Sequence, residues 1–240
     1  MKIASLFAAA LASGAVLVGA AGASAAVSVQ NPSFEILPSG GLPNGGCGVG
    51  CSYSDTSSST GVPDWTQLGT GGQFRPGSSS GNTAYFNYVP NGLTVAWLDG
   101  SPTGDAHNLG GYLYQQVGTV TPGVTYTLNV DLGFRKDVAD NGVAALQVGA
   151  TTDDFYATGT ADQLSGNWAD YVAQYTGTAG DAGAPLYVVL FSGNSGQADF
   201  DNVSLSVPEP GTWALMLLGL GVLGATLRRS RKRAVALATA

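Results

Sequence analysis

The sequence predicts an all-β protein whose body is a β-sandwich. Gly, Ser, Thr and Asn abound while Lys and Arg are few, and β-branched or aromatic runs recur at short intervals between Gly, Pro or Asn. No amphipathic stretch of helical period is long enough to build a helical layer.

At the N-terminus, Lys2 precedes an apolar, alanine-rich run from Ile3 to about Ala21 that ends in Ala23, Ser24 and Ala25. A single cation, an apolar core and a small-residue triplet make a secretory signal peptide, residues 1–25, cleaved after Ala25. The body then runs over residues 26–206, about 180 residues, enough for one domain with a single core.

Strands are expected at Ala84–Tyr88, Thr94–Leu98, Gly111–Val117, Thr125–Phe134, Val143–Val148, Trp168–Tyr175, Leu186–Phe191 and Ala198–Ser206. Tyr126, Leu128, Val130 and Leu132 alternate with Thr127, Asn129 and Asp131. Phe200, Val203 and Leu205 do the same if one irregularity is allowed. Thr121-Pro122-Gly123 is a turn between two strands.

Without Lys2 and the five cations of the tail, three basic residues remain; without Glu209, fifteen acids remain, a formal charge of −12 on the body. Such a surface repels nucleic acid, which is excluded as a partner. Cys47 and Cys51 lie in a glycine-rich loop that can bring the sulfurs together, and outside the cytoplasm a disulfide is expected. With one histidine in the chain, zinc lacks partners.

A non-catalytic protein is expected. His107 beside Asp105 lies in a polar turn, and Gly77-Ser78-Ser79-Ser80-Gly81 has the letters of a nucleophile elbow without its strand and helix. Asp153-Asp154 and Asp137 with Asp140 could pair for glycoside cleavage, but acids in such loops ordinarily serve turns. For ligand binding the informative residues are aromatics, whose flat faces stack on sugar rings; Trp65, Trp97, Tyr112 and Tyr156 are the candidates, with most other aromatics expected in the core.

The C-terminus reads Val207-Pro208-Glu209-Pro210, then an apolar stretch from Trp213 to Leu227, then Arg228, Arg229, Arg231, Lys232 and Arg233. The prolines stop a strand, the apolar stretch forms a short transmembrane helix with Trp213 at one interface, and the cations hold the other end in the cytoplasm. The order resembles the PEP-CTERM sorting signal over residues 207–233, with 234–240 as a cytoplasmic tail. Such tails also carry the label "ice-binding protein C-terminal domain", which describes the tail and not the body. The resemblance implies that Pro208, Glu209 and Pro210 are read by an exosortase. The chain would then be an inner-membrane-anchored precursor, afterwards held at the surface or in the extracellular matrix of a Gram-negative bacterium.

Within the body, the opening Asn31-Pro32-Ser33-Phe34-Glu35, Val62-Pro63-Asp64-Trp65, the run Tyr112–Phe134 and the closing Asp199–Leu205 resemble the galactose-binding-like jelly roll of carbohydrate-binding modules. The resemblance implies a structural calcium ion shared by the opening and closing strands, with Glu35 and Asp201 as ligands and Asp199 beside them. The other reading of the same acids is that they are solvated or bond the backbone of a turn. Two functions remain open: a module that binds exopolysaccharide, and a structural surface protein or adhesin without a small ligand.

Overall fold

The computed structural model describes residues 24–45, 47–54, 61–77, 84–100, 110–149, 153–193, 195–208 and 220–221. Among the described residues twelve strands follow in chain order: β1 (Ser24–Val27), β2 (Gly50–Cys51), β3 (Thr66–Leu68), β4 (Gly71–Arg75), β5 (Val95–Asp99), β6 (Tyr112–Thr119), β7 (Thr125–Gly133), β8 (Gly142–Val148), β9 (Asp153–Tyr156), β10 (Trp168–Thr176), β11 (Pro185–Ser192) and β12 (Gln197–Pro208). They form a seven-stranded sheet, β10-β7-β12-β5-β4-β2 with β1 also on β12, and a five-stranded sheet, β3-β6-β11-β8-β9. Ser24–Pro208 is one compact unit.

Period-two alternation builds the sandwich. Tyr126, Leu128, Val130 and Leu132 of β7 are all buried inward. They meet Leu113 of β6, Leu146 of β8 and Val188 and Leu190 of β11 from the opposite sheet. β12 contributes Ala198 and Phe200, then Val203 and Leu205. The change of phase is a bulge between Asp201 and Ser204 in the pairing with β7, at Asn202, whose φ of 51° suits an Asn better than most residues. Pro122 and Gly123 make the expected turn into β7, with Gly123 at φ 76°.

Three of the short motifs meet in space. Asn31 is buried and its side chain accepts the Ile36 N–H while donating to the Ile36 and Pro63 carbonyls. Trp65 is buried against Phe34, with ring centroids 5.7 Å apart, and donates its indole N–H to the Asn31 carbonyl. The Val203 N–H reaches the Pro32 carbonyl, tying the opening segment to β12. Trp65 is therefore a core residue, which corrects its reading as a ligand platform.

Two other expectations change. Ala84–Tyr88 forms no strand, because it crosses the outer face of the seven-stranded sheet as an irregular segment. Asp153–Tyr156 is a strand, although its adjacent acids read as a turn. Among the described residues no helix is long and apolar enough to cross a membrane. The expected signal peptide up to Ala23, Glu209, Pro210, Trp213, the basic cluster, His107 and Ser78–Ser80 lie outside the described residues. Pro208 closes β12, and cleavage after Ala25 would leave Ala26 and Val27 paired to Ser206 and Leu205.

On the outer face, Asp170, Asp131 and Asp201 stand opposite one another across β10, β7 and β12. Burial, with Asp170 alongside, pushes the Asp131 carboxyl up to about 6. Burial pushes Asp201 up to about 8, with the neighbouring Asp131 and Glu35 charges adding to it. Asp131 and Asp201 are both harder to ionise folded than unfolded. Between the ordinary value near 3.8 and these raised values, the unfolded chain has released protons that the folded chain keeps, so stability falls as pH rises through that window.

Two measurements check these assignments. Trp65→Ala is expected to cost about 3–5 kcal/mol in denaturant unfolding. The thermal midpoint is expected to be higher at about pH 5 than at about pH 8, with Asp201→Asn flattening that slope; a midpoint that rises with pH would mean that a bound cation neutralises the row.

Candidate functional site

The outer face of the seven-stranded sheet carries a second apolar cluster, separate from the sandwich core: Phe74 of β4, Val95 of β5 and Trp168 of β10, covered by Phe86 and Val89 of the crossing segment. Backbone and side-chain bonds pin that segment down. Asn87 N–H donates to Gly166 O, Lys136 N–H to Tyr85 O, and the Trp168 indole to Tyr88 O at 2.8 Å.

Glu35 and Asp201 hold the end of the same segment. Glu35 Oε1 accepts the N–H groups of Leu93 and Thr94, both at 2.7 Å. Asp201 Oδ2 accepts that of Asn91 at 2.9 Å, and its Oδ1 that of Asn202. Gly92, at φ 69°, sits where a Cβ would come within 2.3 Å of the Glu35 carboxylate. The structure thus brings two of the three expected calcium ligands to one loop, where their oxygens bond turn N–H groups. Asp199 does not join them: it neighbours Arg135, Asp140 and Gln197. Among the described residues, no group of three or more His, Cys, Asp or Glu is arranged to hold a metal ion.

Beside the cluster opens a cavity of about 310 Å³. The pairing of β4, β5 and β12 puts Gly72, Trp97 and Asp199 in one cross-strand row. Gly72 is required there, since a Cβ would lie 2.3 Å from Ser52 O in the loop that follows β2 along the edge of β4. That loop takes the Trp97 indole N–H on Ser52 O at 3.3 Å. It also lays Tyr53 on Trp97, with centroids 6.2 Å apart and planes 26° apart. Tyr53 remains 57% exposed, so the stacked pair forms one wall of the cavity.

Cys47 and Cys51 form a disulfide, with Cα atoms 5.9 Å apart, that lines the cavity with Asn44. The far side is Phe74, Arg135 and Gln197. The Arg135 guanidinium lies over the Tyr85 ring at 4.5 Å and the Phe74 ring at 5.8 Å. It donates Nη1–H to Gln197 Oε1 at 2.7 Å and grips Asp137 through Nε and Nη2. That grip holds the Asp137 carboxyl below its usual range. Asp137 therefore serves Arg135 and does not pair with Asp140, whose Oδ1 accepts the Gly142 N–H.

Behind Gln197 lies Asp199, fully buried. Its Oδ1 accepts from Gln197 Nε2 at 3.2 Å and its Oδ2 has no hydrogen-bond partner. Burial pushes this carboxyl well above the usual range; Arg135 pulls it back, and Asp140 pushes it further. Asp140, raised to about 7 by burial, also has an unpartnered Oδ2. Burial thus favours the protonated form of Asp199, which lies behind the cavity's polar corner.

Of the four aromatic candidates, Trp97 lines this cavity, while Tyr112 and Tyr156 stand on the other sheet. Sequence reasoning missed Tyr53, Phe74 and Arg135, which come from separate stretches. A faint signal existed for Tyr53, an aromatic two residues after a rigid cysteine loop.

Comparison with known proteins agrees with the fold. A cyclase from Fischerella sp. TAU has 19% identity and a TM-score of 0.58, covering 77% of this chain and 98% of its own. A Stig cyclase from the same organism, solved in complex with (3Z)-3-(1-methyl-2-pyrrolidinylidene)-3H-indole, has 21% identity and a TM-score of 0.56, covering 78% and 100%. The CBM22-1 xylan-binding domain from Paenibacillus barcinonensis has 12% identity and a TM-score of 0.37, covering 67% and 94%. Among curated proteins no sequence matches. Residues 206–232 match the PEP-CTERM protein-sorting motif, so the protein is an exported precursor processed by an exosortase. Residues 25–206 match the HpiC1-like model, described as HpiC1 cyclase, and the chain belongs to that family.

Proposed function

We propose that the protein is a sorted extracellular binding module that holds a glycosyl unit of an exopolysaccharide in the Tyr53–Trp97 cavity. The composition of that cavity carries the reading. A stacked Tyr–Trp wall and Phe74 offer flat faces for the C–H surface of a sugar ring, while Asn44, Gln197 and Arg135 offer planar donors and acceptors for its hydroxyl rim. The volume, about 310 Å³, lies at the small end of ligand sites. The acidic body disfavours polyanions, which points to a neutral glycan. If a divalent ion takes part, Glu35 and Asp201 are the pair it would bridge, and its effect would be to brace the 91–94 turn.

A second reading has its own observation, the fully buried acid Asp199 with its unpartnered oxygen, in a chain of the HpiC1-like family. A flat, electron-rich substrate held by Tyr53 and Trp97 could take a proton from Asp199 and close a ring, returning a proton afterwards. Gln197 stands between that carboxyl and the cavity, which favours binding over catalysis.

A glycan screen of the full chain in mild detergent, with calcium and with chelator, checks the first reading. Neutral oligosaccharides are expected to bind, and Trp97→Ala to weaken binding about tenfold or more. Silence under both conditions would return the protein to a structural surface role. Under the second reading, aromatic alkenes yield a ring-closed isomer of unchanged mass that Asp199→Asn no longer forms; no isomer with the unsubstituted protein would leave binding alone.

A further inference from the structure

The outer face of the five-stranded sheet is laid with aromatic side chains that neither the sandwich core nor the Tyr53–Trp97 cavity uses. Register fixes the arrangement: Tyr112 and Tyr114 on β6 stand opposite Phe191 and Val189 on β11, and Tyr187 lies further along the same face. From Tyr187 the rings run to Tyr114 at 6.1 Å, to Tyr112 at 5.7 Å, to Phe191 at 6.0 Å and to Tyr156 of β9 at 6.3 Å. A shallow depression of about 240 Å³ lies between Leu68, Tyr112, Tyr114, Gln147 and Tyr187. Tyr156 at the end of the line is 54% exposed.

Folding alone does not require this face to be aromatic, since the sandwich core is closed by the other side of the same strands. We infer that it is a second glycan-contact surface, which takes an extended, uncharged polysaccharide chain along the line from Tyr187 to Tyr156. The chemistry of the face selects that occupant. Its rim offers tyrosine hydroxyls and the Gln147 amide. The carboxylate bordering it, Asp154, is engaged by Gln147 Nε2 at 3.1 Å and by the Tyr156 hydroxyl at 3.2 Å. The five rings and Gln147 present no formal charge to an ionic partner. A formal charge of −12 on the body opposes both a polyanion and a second copy of the chain laid face to face. Phe191 is itself buried and bridges Tyr112 to Tyr156 from beneath, so four tyrosine rings remain to meet a ligand. A row of four is longer than a single sugar needs, so a polymer is the natural occupant.

The inference rests on the reading that the protein binds glycans, yet it concerns a different sheet, so the two are separable. The full chain in mild detergent is measured for retention on cellulose, xylan and curdlan and for affinity towards soluble oligosaccharides of the polymer that retains it. Tyr114→Ala and Tyr156→Ala are each expected to lower retention about fivefold to tenfold while leaving oligosaccharide affinity in the Trp97 cavity in place. Tyr156 is half in solvent, so its variant keeps the test valid if Tyr114→Ala fails to fold, as judged by the thermal midpoint. Retention unchanged by either tyrosine variant but lost in Trp97→Ala would overturn the second surface and leave the cavity standing. No retention on any polymer and no oligosaccharide binding would remove both. A concentration-dependent dimer that Tyr156→Ala dissociates would assign the face to a second copy and overturn the inference.

Discussion

Strand β12 sends Ala198 and Phe200 into the core, and the same alternation aims Asp199 and Asp201 at the opposite face. Two aspartates beneath a loop need partners, and the outer layer of the seven-stranded sheet is arranged around supplying them. Asp201 takes the Asn91 N–H from the turn that ends the crossing segment and the N–H of its own neighbour Asn202. Asp199 takes the Gln197 amide and the field of Arg135. Arg135, in turn, needs Asp137 and two aromatic faces. The second apolar cluster, the pinned 84–94 segment and one wall of the cavity are consequences of that chain of requirements.

The amount of this that was legible in the sequence follows the strength of local pattern. β7 announced itself because each inward residue is apolar and each outward one polar. β12 was legible even with its bulge, since the irregularity falls at an Asn able to adopt positive φ. β4, read Gly-Gly-Gln-Phe-Arg, gave no signal because its glycines answer to close neighbours, Leu98 and Trp97 O at Gly71 and Ser52 O at Gly72, a tertiary requirement. Ala84–Tyr88 misled for the opposite reason: its aromatics are apolar because they roof a sheet, and a roof needs no strand. Trp65 and Trp97 look alike in sequence, and only the packing of Phe34 on the first and Tyr53 on the second separates a core residue from a cavity wall.

The acids expected to bind calcium show how two readings of the same residues meet. Glu35 and Asp201 both reach the 91–94 turn, and the geometry gives them its N–H groups as partners. The disulfide expected of the cysteines forms where their loop becomes the cavity wall, so the bridge bears directly on the shape of the site.

The chain runs directly from Pro208, the last residue of β12, into its sorting tail. A pull applied at Pro208 along the strand direction would load β12 lengthwise. This strand is flanked by β7 on one edge and by β5 and then β1 on the other. Antiparallel hydrogen bonds lie across the strand direction, so a lengthwise pull loads many of them together in shear instead of opening them one at a time. The element that leads into the sorting motif is thus the one braced lengthwise on both edges.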